Sequence, residues 1–266
     1  MIYQLNRPFQ AHPIFFDLED PTLCSCLPDW FGSAWQPAPS ISRESAHPLL
    51  LIPANSVNPL GQIQNFVYDH TTCRSPYFVF HGGAVTIGDD AYLFLASTTT
   101  GKTTLISYLT QLGYTYLNDD CFYLNMETLE VMPYSAPIHL RDGGLAYLKS
   151  VLASEQQPQT VHIVTPSASR HVYLPKNQTR SAVKPKQIFF LDRTDDPSIP
   201  DHLTALPTYL TLHQLFISAL IPYQMNKEYI HFFQKLVPLC RRLTYHNASY
   251  VASLLPSPLY QEAAHD

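Results

Sequence analysis

One stretch of the sequence combines residue types that can bind phosphate. Residues 96–103 read Ala-Ser-Thr-Thr-Thr-Gly-Lys-Thr, which fits the pattern [Ala/Gly]-x-x-x-x-Gly-Lys-[Ser/Thr]. In such a loop, backbone N–H groups and the N-terminus of the following helix present partial positive charge to phosphate oxygens. Lys102 can reach the terminal phosphates, and the hydroxyl of Thr103 can ligate magnesium. The predicted nucleotide-binding residues are Ser97, Thr98, Thr99, Thr100, Gly101, Lys102, Thr103 and Thr104.

The flanking sequence predicts the strand and the helix that this loop needs. Before the loop, Ala91 to Leu95 is apolar and aromatic, which is typical of a buried strand. After it, Lys102 to Leu112 carries leucine and isoleucine at helical spacing, and Gly113 is placed to end the helix. A strand, a loop and a helix in this order are the context in which the motif has meaning.

A pair of carboxylates follows the next predicted strand. Tyr114 to Leu117 predicts a strand that delivers Asp119 and Asp120 to its C-terminal end. Ligands of open α/β sheets bind outside the carboxyl ends of the strands, so the pair and the loop should share one rim. One carboxylate can bind magnesium, and the other can accept the proton of an attacking hydroxyl. A solvated turn or a helix cap is the alternative, because Asn-Asp-Asp is also good turn chemistry.

A histidine and an arginine complete the candidate set. Residues 77–87 predict a strand that contains two glycines, which suggests a bulge or a close backbone approach, and His81 precedes them. His81 could orient a carboxylate or contact a phosphate, or it could be a strand-end histidine satisfied by hydrogen bonds. Arg141 lies near a glycine pair and could stabilise a transferring phosphoryl group. A surface salt bridge with Asp142 is the alternative for this arginine.

Taken in order, these segments resemble the catalytic core of the HPr kinase/phosphorylase family and its relatives. The segments that carry the resemblance are His81-Gly82, Ala96 to Thr103, Leu117 to Asp120 and Ile138 to Gly143. They cover about residues 77 to 148. The family has a nucleotide-binding fold of the phosphoenolpyruvate-carboxykinase type and phosphorylates a serine hydroxyl on a protein. The resemblance implies an α/β P-loop kinase core, a mixed sheet with flanking helices, and ATP and Mg²⁺ as cofactors.

The resemblance also implies a role for each site residue. Asp119 would be the general base on the incoming serine. Asp120 would help to bind magnesium and to position His81, and Arg141 would stabilise the transferred phosphoryl group. The predicted catalytic residues are therefore Asp119, His81, Lys102 and Arg141, and the predicted metal ligands are Thr103 and Asp120.

The chain departs from the family at several loop positions and in its C-terminal part. Glycine is usual at the first and fourth loop positions, where this chain has Ala96 and Thr99, and Ser-Glu usually follows the lysine, where it has Thr103-Thr104. The family's C-terminal signature for HPr docking is not evident, which favours a smaller relative. Some of these phosphorylate ribosomal precursor peptides, including lasso peptides. The predicted partner is a serine-containing peptide or protein. A kinase for free serine or a sugar, and a nucleotide-binding module without catalysis, are the alternatives.

Composition limits the partners and the compartment. The chain has 266 residues, a net charge of −5 and scattered Lys and Arg, so no basic patch argues for nucleic acid. No apolar run is long enough to span a bilayer, and the first residues lack the features of a secretory signal. The five cysteines are odd in number and irregularly spaced, which favours reduced thiols. The sequence therefore predicts a cytoplasmic enzyme without a membrane or nucleic-acid partner, and a homo-oligomer is left open.

The remaining sequence predicts elaborations around the core. The expected division is an N-terminal strand-bearing region over residues 1–75 that packs on the core, the kinase core over 76–205 and a helical elaboration over 206–266, in one compact domain overall. Within the first region, prolines predict a loop from Asp20 to Ser40, and Phe66 to Tyr68 predicts a strand.

The C-terminal half predicts one more core strand and three helices. Gln187 to Arg193 predicts a strand whose terminal Asp192 or Arg193 could contact the nucleotide or simply be solvated. Apolar spacing predicts helices over residues 145–152, 211–220 and 229–239. Three apolar side chains of the second are expected to be buried, namely Phe216, Ile217 and Leu220.

Overall fold

The protein has a mixed α/β fold, seen in a computed structural model that describes residues 2–6, 12–70, 76–97, 99–134, 136–165, 168–220 and 226–258. The strands are β1 Ile2–Leu5, β2 Ile14–Leu18, β3 Trp35–Pro37, β4 Leu49–Ile52, β5 Tyr77–Ile87, β6 Asp90–Leu95, β7 Thr115–Asn118, β8 Cys121–Asn125, β9 Val131–Met132, β10 Ile138–Leu140, β11 Val161–Thr165, β12 Ala168–Tyr173, β13 Lys184–Arg193, β14 His202–Thr204 and β15 Cys240–Tyr245. The helices are α1 Pro21–Phe31, α2 Pro59–Asp69, α3 Lys102–Gln111, α4 Asp142–Val151, α5 Thr208–Ser218, α6 Lys227–Leu236 and α7 Ala248–Ser253. No helix in these ranges is both long enough and apolar enough to cross a bilayer.

An eight-stranded mixed sheet forms the centre of the molecule. Its order is β14-β15-β13-β6-β5-β8-β9, and β7 pairs with β5 beside β8. β13 runs parallel to both β6 and β15, whereas β5 runs antiparallel to β6, β7 and β8. β5 therefore connects the strand before the glycine-lysine loop with the two strands that flank the carboxylate pair.

Helices cover both faces of this sheet because its central strands are apolar on both sides. Along β6, Leu93 and Leu95 pack into the core cluster that contains Leu215 of α5 and Phe233 of α6. Phe94, between them, points to the opposite face and packs into the cluster of α3, α4 and α7. The period-two alternation of a strand thus distributes one short sequence between two cores.

The first part of the chain builds a smaller layer beside the sheet. β3, β1, β2 and β4 form a four-stranded sheet in that order, and α1 and α2 pack with it around a core of their own. That core also contains Ile163 and Val172 from a three-stranded sheet of order β10-β12-β11. The other face of this sheet contributes Ile138 and Leu140 to the cluster of α3. The three-stranded sheet therefore lies between the N-terminal layer and α3. The division at residues 75 and 205 stays a prediction.

Several predicted elements are confirmed at the level of secondary structure. These are the strand before the loop, the helix after it, the strand before the carboxylate pair, the glycine-containing strand and the helices near residues 145, 211 and 229. Gly113, at the end of α3, has a φ of +101°, which fits a helix stop.

Two predictions in the N-terminal region are wrong. The proline-rich segment predicted as a loop contains α1, which Asp20 caps by accepting a 2.8 Å hydrogen bond from the N–H of Thr22. Pro21 occupies the first turn, where its missing N–H costs nothing, and a buried face that includes Trp30 outweighs Pro28 inside the helix. Residues 66–68, predicted as a strand, lie in α2. Val67 is buried in the N-terminal core, and such packing overrides the β propensity of the segment.

The predicted buried face of α5 is also wrong. Phe216 and Ile217 are 44% and 58% exposed, and the buried residues are Thr211 and Leu215. α5 carries apolar residues around most of its circumference, so that periodicity cannot select the face that packs. Leu220 lies just beyond the helix and is partly buried.

Close packing requires the two glycines inside β5. Substituting one of them by alanine should therefore destabilise the protein much more than substituting a glycine of a helix. A Cβ on Gly82 would lie 2.4 Å from Cε1 of Phe122, a fully buried ring, whereas a Cβ on Gly143 of α4 would meet no atom within 4 Å. We expect Gly82→Ala to lower the free energy of unfolding by about 1–3 kcal/mol through overpacking. Gly143→Ala should leave it unchanged or raise it by up to about 1 kcal/mol. Urea unfolding of both variants measures the contrast, and equal effects would contradict it.

Candidate functional site

The glycine-lysine loop connects β6 to α3. It is shaped by Gly101, whose φ of +91° favours glycine, and by the Thr100 hydroxyl, which donates a 2.8 Å hydrogen bond to the carbonyl of Ser97. The hydroxyl of Tyr245, at the end of β15, lies 3.4 Å from the Thr100 carbonyl and holds the loop from the other side. Thr98 lies outside the described residues. The first-turn N–H groups of α3 are thereby placed at the rim of the sheet, where they can attract an anion.

Thr99 occupies the loop position where the resemblance expects glycine. Its φ is +72°, which lies in the left-handed region that glycine adopts readily and that costs other residues about 1–2 kcal/mol. The loop therefore keeps the backbone conformation associated with a glycine although the sequence has replaced it.

Lys102 and His81 form the centre of the site. Lys102 begins α3, is 7% exposed, and its Nζ lies 3.0 Å from Nε2 of His81 on β5. Since an ammonium only donates, Nε2 accepts and the ring proton is assigned to Nδ1, which lies 3.6 Å from Oδ1 of Asp120. Burial and then the Lys102 charge lower the pKa of His81, and Asp120 opposes them. His81 is therefore a neutral link between the lysine and the carboxylate pair.

A tight turn sends the two adjacent carboxylates in different directions. Between β7 and β8, the N–H of Cys121 donates a 3.0 Å hydrogen bond to the carbonyl of Asp119, and Asp120 between them has a φ of +75°. The N–H of Gly82 donates to the Asp120 carbonyl at 3.1 Å and fixes the turn to β5. As a result Asp119 is 6% exposed, whereas the Asp120 side chain is 50% exposed. The positive φ of Asp120 is a strained backbone conformation, and such strain is often found at functional sites, where it fixes the direction of a side chain.

Asp119 has the properties of a poised base. Burial, the largest effect, raises its pKa, the Asp120 charge adds to the rise, and Lys102 and a hydrogen bond with the Thr103 side chain oppose it. Its Oδ1 is buried and accepts no hydrogen bond in the described part of the chain. A Cβ on Gly83 would approach this oxygen to 3.1 Å, so the glycine leaves the space that the carboxylate occupies. An unpartnered buried carboxylate oxygen is unusual and indicates a functional position.

The larger cavity at this rim has a volume of about 560 Å³, within the usual range for ligand pockets. Most of the predicted site residues line it, namely His81, Ser97, Thr99, Gly101, Lys102, Thr103, Thr104, Asp120 and Arg141. Thr100 is not among the lining residues, and its carbonyl contacts the hydroxyl of Tyr245. Arg193 also lines the cavity, whereas Asp192 does not. Of the two strand-end charges considered, the arginine therefore lies at the rim.

A second cavity of about 170 Å³ adjoins the first, and Asp119 lines it. Four residues line both cavities, namely Thr103, Asp120, His139 and Arg141. Asp142, considered as a salt-bridge partner of Arg141, accepts a 2.8 Å hydrogen bond from His171. Asp120 and Arg141 thus line both cavities, whereas Asp119 lines the smaller one.

The walls of the smaller cavity were not predicted from the sequence. Trp30 and Phe31 of α1 form part of them, and the carbonyl of Trp30 lies 2.7 Å from Nε2 of His139. Trp30 is 2% exposed, so its side chain also packs in the core of the N-terminal layer. Arg170 of β12 adds a second guanidinium, and neighbouring Arg141 helps burial to lower its pKa. No local motif marks these residues, because they meet only through the packing of the N-terminal layer on the three-stranded sheet.

Another part of the lining of the larger cavity comes from the junction of β15 and α7. Tyr245, His246, Asn247 and Ala248 at the junction of β15 and α7 line it, and sequence reasoning did not single them out. Burial raises the pKa of Tyr245 to about 12, so its hydroxyl stays protonated as it contacts the loop. The only available signal was Asn247, whose side chain caps α7 by accepting from the N–H of Tyr250.

Comparisons with known proteins leave the function to be argued from this geometry. No protein-family model matches the sequence, and no curated protein matches it. The structure is similar to that of the HPr(Ser) kinase/phosphatase from Coxiella burnetii, with a TM-score of 0.30 and 11% sequence identity over 70% of this chain and 91% of that chain. A likeness at this level carries no argument about activity.

Proposed function

We propose that the protein is an ATP-dependent kinase that transfers the γ-phosphoryl group to the serine hydroxyl of a peptide or protein, such as a ribosomal precursor peptide of the lasso type. The observation that carries this proposal is the pair of adjoining cavities. Residues of the glycine-lysine loop line the larger cavity. The smaller cavity is lined by Asp119, a buried carboxylate with a raised pKa. A group-transfer enzyme needs such a junction, because donor and acceptor must meet in line.

The larger cavity is the proposed nucleotide side. The N–H groups of the loop and the first turn of α3 would bind the phosphates, and Lys102 would neutralise charge on the terminal ones. The Thr103 hydroxyl and the half-exposed Asp120 carboxylate offer oxygen ligands of the kind that Mg²⁺ prefers, so these residues fit the ion. Bound there, Mg²⁺ would supply charge neutralisation at the phosphates. Arg141, exposed to both cavities, would stabilise the equatorial oxygens of the phosphoryl group in transit.

The smaller cavity is the proposed acceptor side. A serine hydroxyl placed there would lose its proton to Asp119 as its oxygen bonds to the γ-phosphorus, and the bond from that phosphorus to the bridging oxygen of ADP would break. At about 170 Å³ the space is below the usual range for a whole ligand and suits one small side chain. This size supports serine as the acceptor residue, with the rest of the peptide outside the cavity.

The experiment that tests the proposal measures product mass. Purified full-length protein would be incubated with ATP, Mg²⁺ and a panel of serine-containing peptides, HPr, free serine and sugars. We expect one phosphoryl group on a serine peptide or protein and none on the same peptide with alanine in place of serine. Transfer to free serine or a sugar alone would establish the small-molecule alternative. ATP binding without transfer to any acceptor would establish a nucleotide-binding module.

We expect the loss of kcat/KM at acidic pH to follow the protonation of Asp119. Burial raises the pKa of this carboxyl above its ordinary value of 3.8, so the basic form exists above the raised value and is lost as the pH falls through it. We therefore expect kcat/KM for transfer to fall on acidification at a pH higher than an exposed aspartate would give.

A variant of His81 distinguishes the titration of Asp119 from that of the neighbouring imidazole in the pH profile. Because the pKa of His81 is lowered, it also stays neutral until acidic pH. His81→Gln should lower the rate but keep the acid limb. An acid limb that disappears in His81→Gln would assign it to the histidine instead.

A further inference from the structure

Three side chains of types that can bind a metal ion lie together and line neither cavity. His162 of β11 and His171 of β12 are directly opposite each other in the antiparallel register, and their rings stack with centroids 4.4 Å apart. Asp142, the first residue of α4, places Oδ1 2.8 Å from Nε2 of His171. One ligand atom from each of the three residues lies within 4.8 Å of the others.

The fold accounts for this convergence. Opposed residues of an antiparallel pair project from the same face, so the two imidazoles must be neighbours. β10 pairs with β12 so that Leu140 is opposite His171, and the chain enters α4 two residues after Leu140. The first turn of α4 is thus delivered to the same face of the small sheet. Three separate elements supply the set, and none of them belongs to the glycine-lysine loop.

We propose that Asp142, His162 and His171 form a binding site for a divalent transition metal of the zinc type. Two imidazoles and one carboxylate are a ligand set that suits Zn²⁺, with the fourth tetrahedral position left to water. Ligand atoms around a tetrahedral zinc lie roughly 3.3 Å apart, given metal–ligand distances near 2.0–2.1 Å. The side chains of Asp142 and His162 are exposed, so small rotations can close the observed spacing.

Ser169 gives the cluster an orienting partner. Its Oγ lies 3.0 Å from Nε2 of His162 and donates to Oδ1 of Asp142 at 3.3 Å. Outer-shell hydrogen bonds of this kind fix the direction of the ligands and contribute to metal affinity. A bridge from α4 to β12 would also restrain Arg141, which immediately precedes Asp142 and lines both cavities.

The test is zinc binding by the full chain. After treatment with a chelator, wild-type protein and variants would be titrated with Zn²⁺ in competition with a chromogenic chelator, in the presence of Mg²⁺. We expect a site that His162→Asn and His171→Asn each weaken by more than about 100-fold, since outer-shell partners alone are worth 10–100-fold. Ser169→Ala should weaken it by about tenfold on the same basis. His231→Asn, which changes an exposed histidine on α6, should leave the site unchanged.

Thermal unfolding provides a second readout that does not depend on activity. In chelator, the His171→Asn variant should unfold at nearly the wild-type temperature, which establishes that it folds. Zn²⁺ should raise the midpoint of the wild type and leave that of the variant unchanged, because a metal that binds the native state stabilises it. Zinc stoichiometry and midpoint shifts that are equal in wild type and both histidine variants would overturn the proposal, as would a folded wild type that binds no Zn²⁺.

Discussion

Replacing Asp119 with asparagine is expected to abolish phosphoryl transfer while ATP binding is retained. Asparagine keeps the size of the side chain but cannot accept the proton of the acceptor hydroxyl, and loss of a general base costs about 10²–10⁴-fold in rate. The loop and α3, which would bind the nucleotide, are left intact. Rapid-quench measurements of transfer and fluorescence titration of ATP separate the two effects. Transfer at the wild-type rate would refute the general-base assignment.

The same variant should be at least as stable as the wild type. The pKa of Asp119 is raised in the folded state, so between 3.8 and the raised value the folded protein binds more protons than the unfolded chain. Stability therefore falls as the pH rises through this window, and the ionised carboxylate is a cost at neutral pH. Asparagine removes that charge. Urea unfolding at neutral pH should show no loss of stability in Asp119→Asn.

Two matched variants complete the comparison. Asp89→Asn changes an exposed carboxylate in the turn before β6 and should leave transfer unchanged. Asp120→Asn changes the half-exposed member of the pair and should raise the Mg²⁺ concentration needed for half-maximal rate. If Asp120→Asn removes transfer completely at saturating Mg²⁺ and Asp119→Asn does not, the two roles are reversed.

Replacing Lys102 with alanine is the second change with a large expected effect. Its ammonium is almost completely buried and contacts His81, at the rim where the terminal phosphates would lie. Removing one preorganised cationic donor from a transferring group costs about 10²–10³-fold in kcat. Because Lys102 also opposes the rise in the pKa of Asp119, the acid limb of the residual activity should move to higher pH. Steady-state kinetics across pH measure both effects.

A surface lysine serves as the control for Lys102. Lys186 forms an exposed ion pair with Asp90 at 3.4 Å, and such pairs are worth about 0–1 kcal/mol. Lys186→Ala should therefore retain transfer and lose little stability. A Lys102→Ala variant with the kinetics of Lys186→Ala would show that the buried lysine has no part in the chemistry.

Short-range sequence patterns allowed the residues of the proposed nucleotide side to be predicted. A strand, a loop and a helix are adjacent in the chain, and each has its own pattern, so the position of Lys102 followed from sequence alone. The carboxylate pair followed as well, because a strand end places its next residues at the rim. The different exposures of Asp119 and Asp120 could not be predicted. They depend on the positive φ of Asp120 and on a hydrogen bond from β5, which is distant in sequence.

The acceptor side depends on packing between segments that are far apart. Trp30 reaches the cavity because α1 forms in spite of Pro28 and packs on β11 and β12. β11 and β12 lie in a segment whose polar, proline-spaced sequence gave no strand signal. Residue type does not follow burial in these strands, since Val161 is exposed while His171 is partly buried. Arg170 therefore belongs to a wall that only the tertiary structure creates.

The lining that the two cavities share has a consequence for the consumption of ATP. Asp120, Thr103, His139 and Arg141 line both spaces, so a small molecule in the acceptor cavity is next to Asp119 and close to the donor side. Water is such a molecule, and in the absence of a peptide the proposed enzyme would hydrolyse ATP slowly. Trp30 and Phe31 line the smaller cavity and reduce the space that water can occupy beside Asp119. We therefore expect truncation of either ring to increase the background ATPase.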